Sequence, residues 1–101
     1  MRLRVLVTAS MLLVSACTGS ADPEASGTEL YSQFCARCHG ADLNGGIGNG
    51  LGVGSDLVDR PDGYITDVIV NGRGSMPAFR RTLTDEQVGR IVDFIRSEQG
   101  S

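Results

Sequence analysis

Seven of the residues between Gly40 and Gly54 are glycine. Glycine loses more backbone freedom on folding than any other residue, so regular helix or strand across this segment would carry a large entropic penalty. The segment is predicted to be loop, and regular structure must come from its flanks. On the N-terminal side, Ser26-Gly-Thr-Glu29 has the spacing of a capping box, and Leu30, Tyr31 and Phe34 follow on one helical face that Cys35 and Cys38 continue. This predicts a helix from Thr28 to Arg37. On the C-terminal side, Thr84-Asp-Glu-Gln87 is a second capping box, and Val88, Ile91, Val92 and Ile95 fall at i, i+3, i+4 and i+7. A helix from Asp85 to Ser97 follows, flanked by Phe94 and stopped near Gly100. Tyr64 to Val70 fits either a short helix ending at Asn71-Gly72 or a β-branched strand. No repeat and no βαβ alternation is visible.

The first seventeen residues are of another kind. Met1-Arg-Leu-Arg4 is basic, Val5 to Val14 is an apolar run, and small residues lead to Cys17. A bilayer span needs about 20 apolar residues, so the run is too short to span and suits a secretory signal. Val14-Ser15-Ala16-Cys17 resembles a bacterial lipobox, in which the Cys becomes the lipidated first residue. The sequence reading is therefore residues 1–16 as signal peptide, 17–26 as lipidated Cys17 and flexible tether, and 27–101 as one folded domain exported to the extracytoplasmic face of a bacterial membrane. An ordinary cleaved signal with an incidental Cys, and a buried core helix, are the competing readings.

Without the leader, seven Arg face twelve Asp and Glu, a formal charge of −5. Such acidity argues against nucleic acid as a partner. A folded unit this short has a marginal core and commonly needs a covalent or metal staple. Three Cys cannot pair completely, which excludes a disulfide scaffold.

The chemistry concentrates at Cys35-Ala-Arg-Cys38-His39. Structural zinc needs four ligands, and beyond this string the domain has no further Cys or His. A thioredoxin-like pair expects a βαβ context that is missing. A disulfide over two intervening residues closes too small a loop to stabilise much. Covalent haem attachment needs only what is present: two thiols one helical turn apart to reach the vinyl groups, and His39 beside them as proximal iron ligand. For the sixth position, Met76 is the one Met after the leader. It sits in Asn71-Gly-Arg-Gly-Ser-Met76-Pro-Ala-Phe79, a Gly/Ser/Pro loop where a thioether has no helical face to fill, unlike an ordinary core Met.

Cys35-Ala-Arg-Cys38-His39-Gly40, then Asn71-Gly72-Arg-Gly74-Ser-Met76-Pro77-Ala-Phe79, then a terminal apolar helix, resembles a small bacterial class I cytochrome c over Gly27 to Gln99. The resemblance implies an all-α, compact cytochrome c fold, with N- and C-terminal helices crossing and short helices and the Gly-rich loop wrapped around one covalent haem c. It implies that Gly27, Tyr31 and Phe94 meet at that crossing, and it favours helix from Asp62 to Val70. Two features depart from the family. No Pro lies between Pro23 and Pro61 to present a carbonyl to His39, so either a carbonyl near Asn49 to Leu51 substitutes or His39 is held less firmly. No Trp is present for the haem propionates, leaving Tyr64, Arg73 or Arg80.

An iron closed by His39 and Met76 has no open position, which leaves one-electron exchange and no catalysis. The expected partners are redox proteins, donor and acceptor, and the membrane through lipid on Cys17, with no small-molecule substrate. Ile47, Leu51 and Val53 are expected to form an apolar rim at the haem edge. Two alternatives stay open: a five-coordinate haem sensor or peroxidase, and a haem subunit docked to a larger oxidase or dehydrogenase.

Overall fold

Both capping boxes form in the computed structural model, which describes residues 21–100. The Ser26 hydroxyl accepts from the Glu29 N–H at 3.1 Å and the Glu29 carboxylate accepts in return from the Ser26 N–H, opening helix α1 (Gly27–Phe34). Thr84 and Gln87 exchange the same pair of bonds, at 3.2 and 2.8 Å, at the start of helix α4 (Asp85–Gln99). Between them lie a one-turn helix α2 (Ala36–His39), a 3-10 turn (Asp56–Asp59) and helix α3 (Asp62–Asn71). The segment left open between helix and strand is thus helical, and the described residues contain no strand, giving the all-α fold expected. No helix among them is long and apolar enough to cross a membrane. The leader, Cys17 and the tether as far as Ser20 lie outside the described residues.

The apolar stripe of α4, Val88, Ile91, Val92 and Ile95, is buried against Leu30 and Tyr31 of α1 and Ile65 and Ile69 of α3. Where α1 meets α4, the backbones touch: a Cβ on Gly27 would lie 2.2 Å from the Arg90 carbonyl oxygen and 3.1 Å from the Phe94 Cβ. Glycine is therefore required there by space. One turn on, the Tyr31 ring packs against Phe94 with centroids 5.1 Å apart. These are the three residues expected at the crossing.

Packed structure begins earlier than Gly27. Ala25 is buried, the Gln87 amide donates to the Asp22 carbonyl at 3.3 Å, and the Arg90 guanidinium donates to the carbonyls of Pro23 and Ala25 at 3.0 and 3.2 Å. The stretch from Asp22 to Ser26, read as tether from its small polar residues, is strapped to α4 by groups sixty residues downstream that no local pattern discloses. At the other end of α4, Arg96 pairs with Asp62 at 2.8 Å and donates to the carbonyls of Leu57 and Arg60. That one side chain ties the 3-10 turn and the start of α3 to the terminal helix.

The predicted helix Thr28–Arg37 is interrupted at Cys35, whose φ of −117° departs from helical geometry. Its carbonyl accepts from both Cys38 and His39 N–H, at 3.2 and 3.0 Å, so a tighter turn follows the break.

Candidate metal centre

The Gly40–Gly54 loop folds back on the turn that carries the two thiols. Gly45 N–H donates to the His39 carbonyl at 2.8 Å and Gly48 N–H to the Cys38 carbonyl at 2.7 Å. This brings the Gly48 backbone against the imidazole: a Cβ there would stand 2.8 Å from His39 Cε1 and 2.9 Å from Nδ1. Asn49, next in the chain, presents its carbonyl oxygen 2.7 Å from His39 Nδ1. A carbonyl only accepts, so Nδ1 is the donor, and in the neutral ring Nε2 is then the nitrogen with a lone pair for a metal. The carbonyl sought between Asn49 and Leu51 in place of a proline carbonyl is thus that of Asn49.

The loop is pinned from behind by Leu43, which is 2% exposed and holds a left-handed φ of 64°. Its carbonyl accepts from the N–H of Leu51 and Gly52 at 2.8 and 3.2 Å, so burial and two hydrogen bonds impose a conformation that Leu alone disfavours.

A cavity of about 970 Å³ opens between this loop and α3, with Cys35, His39 and Met76 in its wall. It is at the upper end of the ~300–1,000 Å³ range of cofactor sites. A smaller cavity of about 220 Å³ shares Cys35, His39 and Met76 and adds Cys38, Pro77 and Phe79. All four chemistry-bearing residues of the two motifs thus line the smaller cavity, and Cys35, His39 and Met76 line the larger as well. Met76 sits at the end of a tight turn in which its N–H donates to the Arg73 carbonyl at 2.9 Å and its own carbonyl accepts from the Arg73 N–H at 3.3 Å. Gly72 allows the return of the chain, since a Cβ there would be 2.5 Å from the Met76 carbonyl oxygen. The Cys35 thiol is pushed up to about 12 by burial and then by the neighbouring Cys38. That is opposite to the lowered value of a reactive redox thiol. Among the described residues no cluster of three or more His, Cys, Asp or Glu is placed to hold a bare metal ion.

Of the three residues offered for the propionates, Tyr64 and Arg73 line the large cavity. Arg80 does not line it; its guanidinium is turned to the side chain of Asn71. Arg60 and Ser55 line the cavity as well, and sequence reasoning missed both. Arg60 sits just before Pro61 in what reads as solvated loop, and Ser55 follows a glycine, so neither carries a local signal. The Ser55 hydroxyl is buried with no hydrogen-bond partner. Ile47, Leu51 and Val53 line the cavity too, with Ile47 and Val53 exposed at 86% and 69% and Leu51 half-buried.

The donor set fits a haem: an imidazole whose Nδ1 is engaged by a backbone carbonyl, a thioether, two thiols one turn apart, and a cleft whose wall leaves a hydroxyl unsatisfied. Comparison with known proteins agrees. Residues 22–95 match the family model for cytochrome C oxidase, cbb3-type, subunit III. The chain is 34% identical over 102 residues to the cytochrome c subunit of 4-cresol dehydrogenase (hydroxylating) from Pseudomonas putida, covering 93% of this chain and 83% of that protein. It is 37% identical over 74 residues to cytochrome c-551 of Bacillus subtilis (strain 168), covering 72% of this chain and 61% of that one. Among solved structures, the KustC0563 c-type cytochrome superposes with a TM-score of 0.67 at 27% identity, over 74% of this chain and 99% of its own. Together with the helical wrap and the loop closed on His39, these matches make the chain a member of the cytochrome c family, whose small mono-haem forms carry one covalently bound haem c.

Proposed function

We propose that the protein is a one-electron carrier in which Cys35 and Cys38 hold the haem by thioether bonds and His39 and Met76 are the axial iron ligands. The observation that carries this reading is the 2.7 Å hydrogen bond from His39 Nδ1 to the Asn49 carbonyl. It fixes the tautomer and the ring plane and makes the imidazole a more basic ligand. A bound haem supplies one-electron exchange with a second redox protein. Met76 then closes the remaining coordination position: its turn is held by two backbone bonds to Arg73, so the thioether is presented by a rigid segment. With both positions filled, neither dioxygen nor a small substrate has a place to bind, which separates a carrier from a sensor or peroxidase.

Export and lipidation at Cys17 complete the proposal. A lipid on Cys17 confines the domain to the extracytoplasmic face of a membrane, and the residues up to Asp22 act as the leash before the strap on α4 begins. A second reading, a haem subunit docked to a dehydrogenase or oxidase, is favoured by the identity to the cresol dehydrogenase cytochrome subunit. The test is production in a host with haem-attachment machinery, followed by intact mass, visible spectrum and detergent extraction. The carrier reading predicts one haem per chain, an added lipid mass, and a methionine–iron charge-transfer band lost in Met76→Ala. A high-spin spectrum in the wild type overturns the His/Met assignment, and stable co-purification with a larger redox enzyme selects the docked subunit.

A further inference from the structure

Every Asn of the chain, Asn44, Asn49 and Asn71, is followed by Gly. In such a pair the glycine nitrogen can attack the Asn side-chain amide, because no Cβ shields it, provided that both groups are free to meet. Two of the pairs are held. The Asn44 side-chain amide donates to the Asp42 carboxylate at 3.0 Å and the Gly45 N–H to the His39 carbonyl at 2.8 Å. Asn71 donates to the Asp67 carboxylate at 2.7 Å and accepts from Arg80, while the Gly72 N–H donates to the Val68 carbonyl at 2.8 Å as α3 ends. Asn49 differs. The residue is exposed, and among the described residues neither its side chain nor the Gly50 N–H has a hydrogen-bond partner. Asn49 is also the residue whose backbone carbonyl accepts from His39 Nδ1 at 2.7 Å, so a change in its backbone reaches the imidazole directly.

We infer that Asn49-Gly50 is a self-modifying site: Asn49 loses ammonia and becomes isoaspartate, which exchanges the neutral acceptor on His39 for a carboxylate. The Gly50 nitrogen bonds to Asn49 Cγ, the Cγ–Nδ2 bond breaks, and ammonia departs with the proton of the Gly50 amide. Water then adds to the former Asn49 backbone carbonyl and breaks its bond to the Gly50 nitrogen. Water enters, ammonia leaves, and nothing is oxidised or reduced. The chain now runs through Cγ, and the old carbonyl carbon carries a free carboxylate on the same Cα. Gly48, whose N–H donates to the Cys38 carbonyl at 2.7 Å, holds that Cα from the N-terminal side, so the added backbone atom is taken up toward Gly50. The carboxylate stays within reach of the Nδ1–H and accepts a charge-assisted bond from it. Resting on the haem reading above, the stronger acceptor makes His39 a more basic ligand and favours the oxidised iron.

The experiment ages the haem-loaded protein at mildly alkaline pH, separates the more anionic fraction by anion exchange, and maps it by peptide mass and an isoaspartate-specific methyltransferase. At Asn44 and Asn71 a side-chain bond and an N–H bond must break before reaction, so the Asn49 peptide is expected to convert at least about tenfold faster than either. Gly50→Ala, whose Cβ would stand 3.2 Å from the Asn44 carbonyl oxygen, is expected to fold and to slow that conversion. An Asn49 peptide that gains isoaspartate no faster than those of Asn44 and Asn71 overturns the site. The effect on His39 is read as midpoint potential against freshly prepared Asn49→Asp, which adds the same charge and keeps the backbone carbonyl. At fixed potential the isoaspartate fraction is expected to have an oxidised-to-reduced ratio up to about tenfold above that of Asn49→Asp, which is about 59 mV for one electron. Equal midpoints overturn the exchange of acceptor on His39. Intact mass keeps the two levels apart: a fresh chain without haem overturns the proposed function, whereas the peptide map of that chain still tests Asn49.

Discussion

Replacing Gly27 by Ala tests whether the crossing of α1 and α4 is set by backbone contact. The added Cβ would sit 2.2 Å from the Arg90 carbonyl oxygen and 2.9 Å from its carbon, atoms that cannot rotate away. Ordinary contact requires more than 3 Å, so the helices must move apart by roughly 1 Å at this point, and a gap of that size forfeits a quarter to a half of the dispersion energy of each atom pair across it. The pairs affected include Tyr31 against Phe94, now 5.1 Å between centroids. Overpacking of this kind costs about 1–3 kcal/mol, and the lost flexibility of glycine returns about 0.5–1 kcal/mol. Taking the middle of each range, the net expectation is a loss of about 1 kcal/mol, lowering Tm by roughly 4–8 °C for a domain of this size. Guanidinium unfolding of the haem-loaded protein, followed by far-UV circular dichroism, measures it with Gly89→Ala as internal control. Gly89 also lies in a helix, but a Cβ added there would have nothing within 4 Å, so Ala at that position is expected to stabilise by about 0.4–1 kcal/mol. If both variants move stability in the same direction, backbone contact at Gly27 does not govern the crossing.

Three further expectations concern other regions of the molecule. Burial, then Cys35 and Asp42, push the Tyr31 phenol up to about 12 from its ordinary 10, so the folded form holds the proton more tightly than the unfolded chain. The contribution of this group to stability is constant below pH 10 and is lost as pH rises from 10 to 12, so the alkaline fall is smaller in Tyr31→Phe, as alkaline unfolding curves will show. Arg96→Ala removes the donor to Leu57 and Arg60 and the partner of Asp62, with an expected loss of about 1–3 kcal/mol in chemical unfolding and faster amide exchange at the start of α3. Ile47, at 86% exposure on the cavity rim, is expected to slow electron exchange with a partner protein when changed to Lys, with the visible spectrum unchanged; an unaltered rate removes Ile47 from the docking face.

The parts of the fold legible in the sequence are those decided within a few residues. Both capping boxes form as spaced, and α4 runs from Asp85 to Gln99 against an expectation of Asp85 to Ser97, because a cap, an apolar stripe and a following glycine all act locally. The need for a carbonyl near Asn49 was legible from the missing proline, and Asn49 supplies it. What escaped the sequence depends on distant partners. Tyr64 to Val70, left open by its local pattern and favoured as helix only by the family resemblance, is helical with Ile65 and Ile69 buried in the core shared with α4. The docking of Asp22 to Ser26 is decided by Gln87 and Arg90. Ser55 and Arg60 reach the cleft because Arg96 draws the 3-10 turn toward α4, a link invisible to any short motif.

The bonds that shape the His39 loop span few residues: His39 to Asn49 is a separation of 10, whereas the strap from Gln87 to Asp22 spans 65. Closing the longer loop costs about 1.7 kcal/mol more in chain entropy than closing the shorter. Low separation of contacting residues also favours rapid formation. The loop that presents the imidazole therefore closes at a lower entropic cost than the strap, and it is then shared with the terminal helix, where the Gln99 amide donates to the Leu51 carbonyl at 2.8 Å.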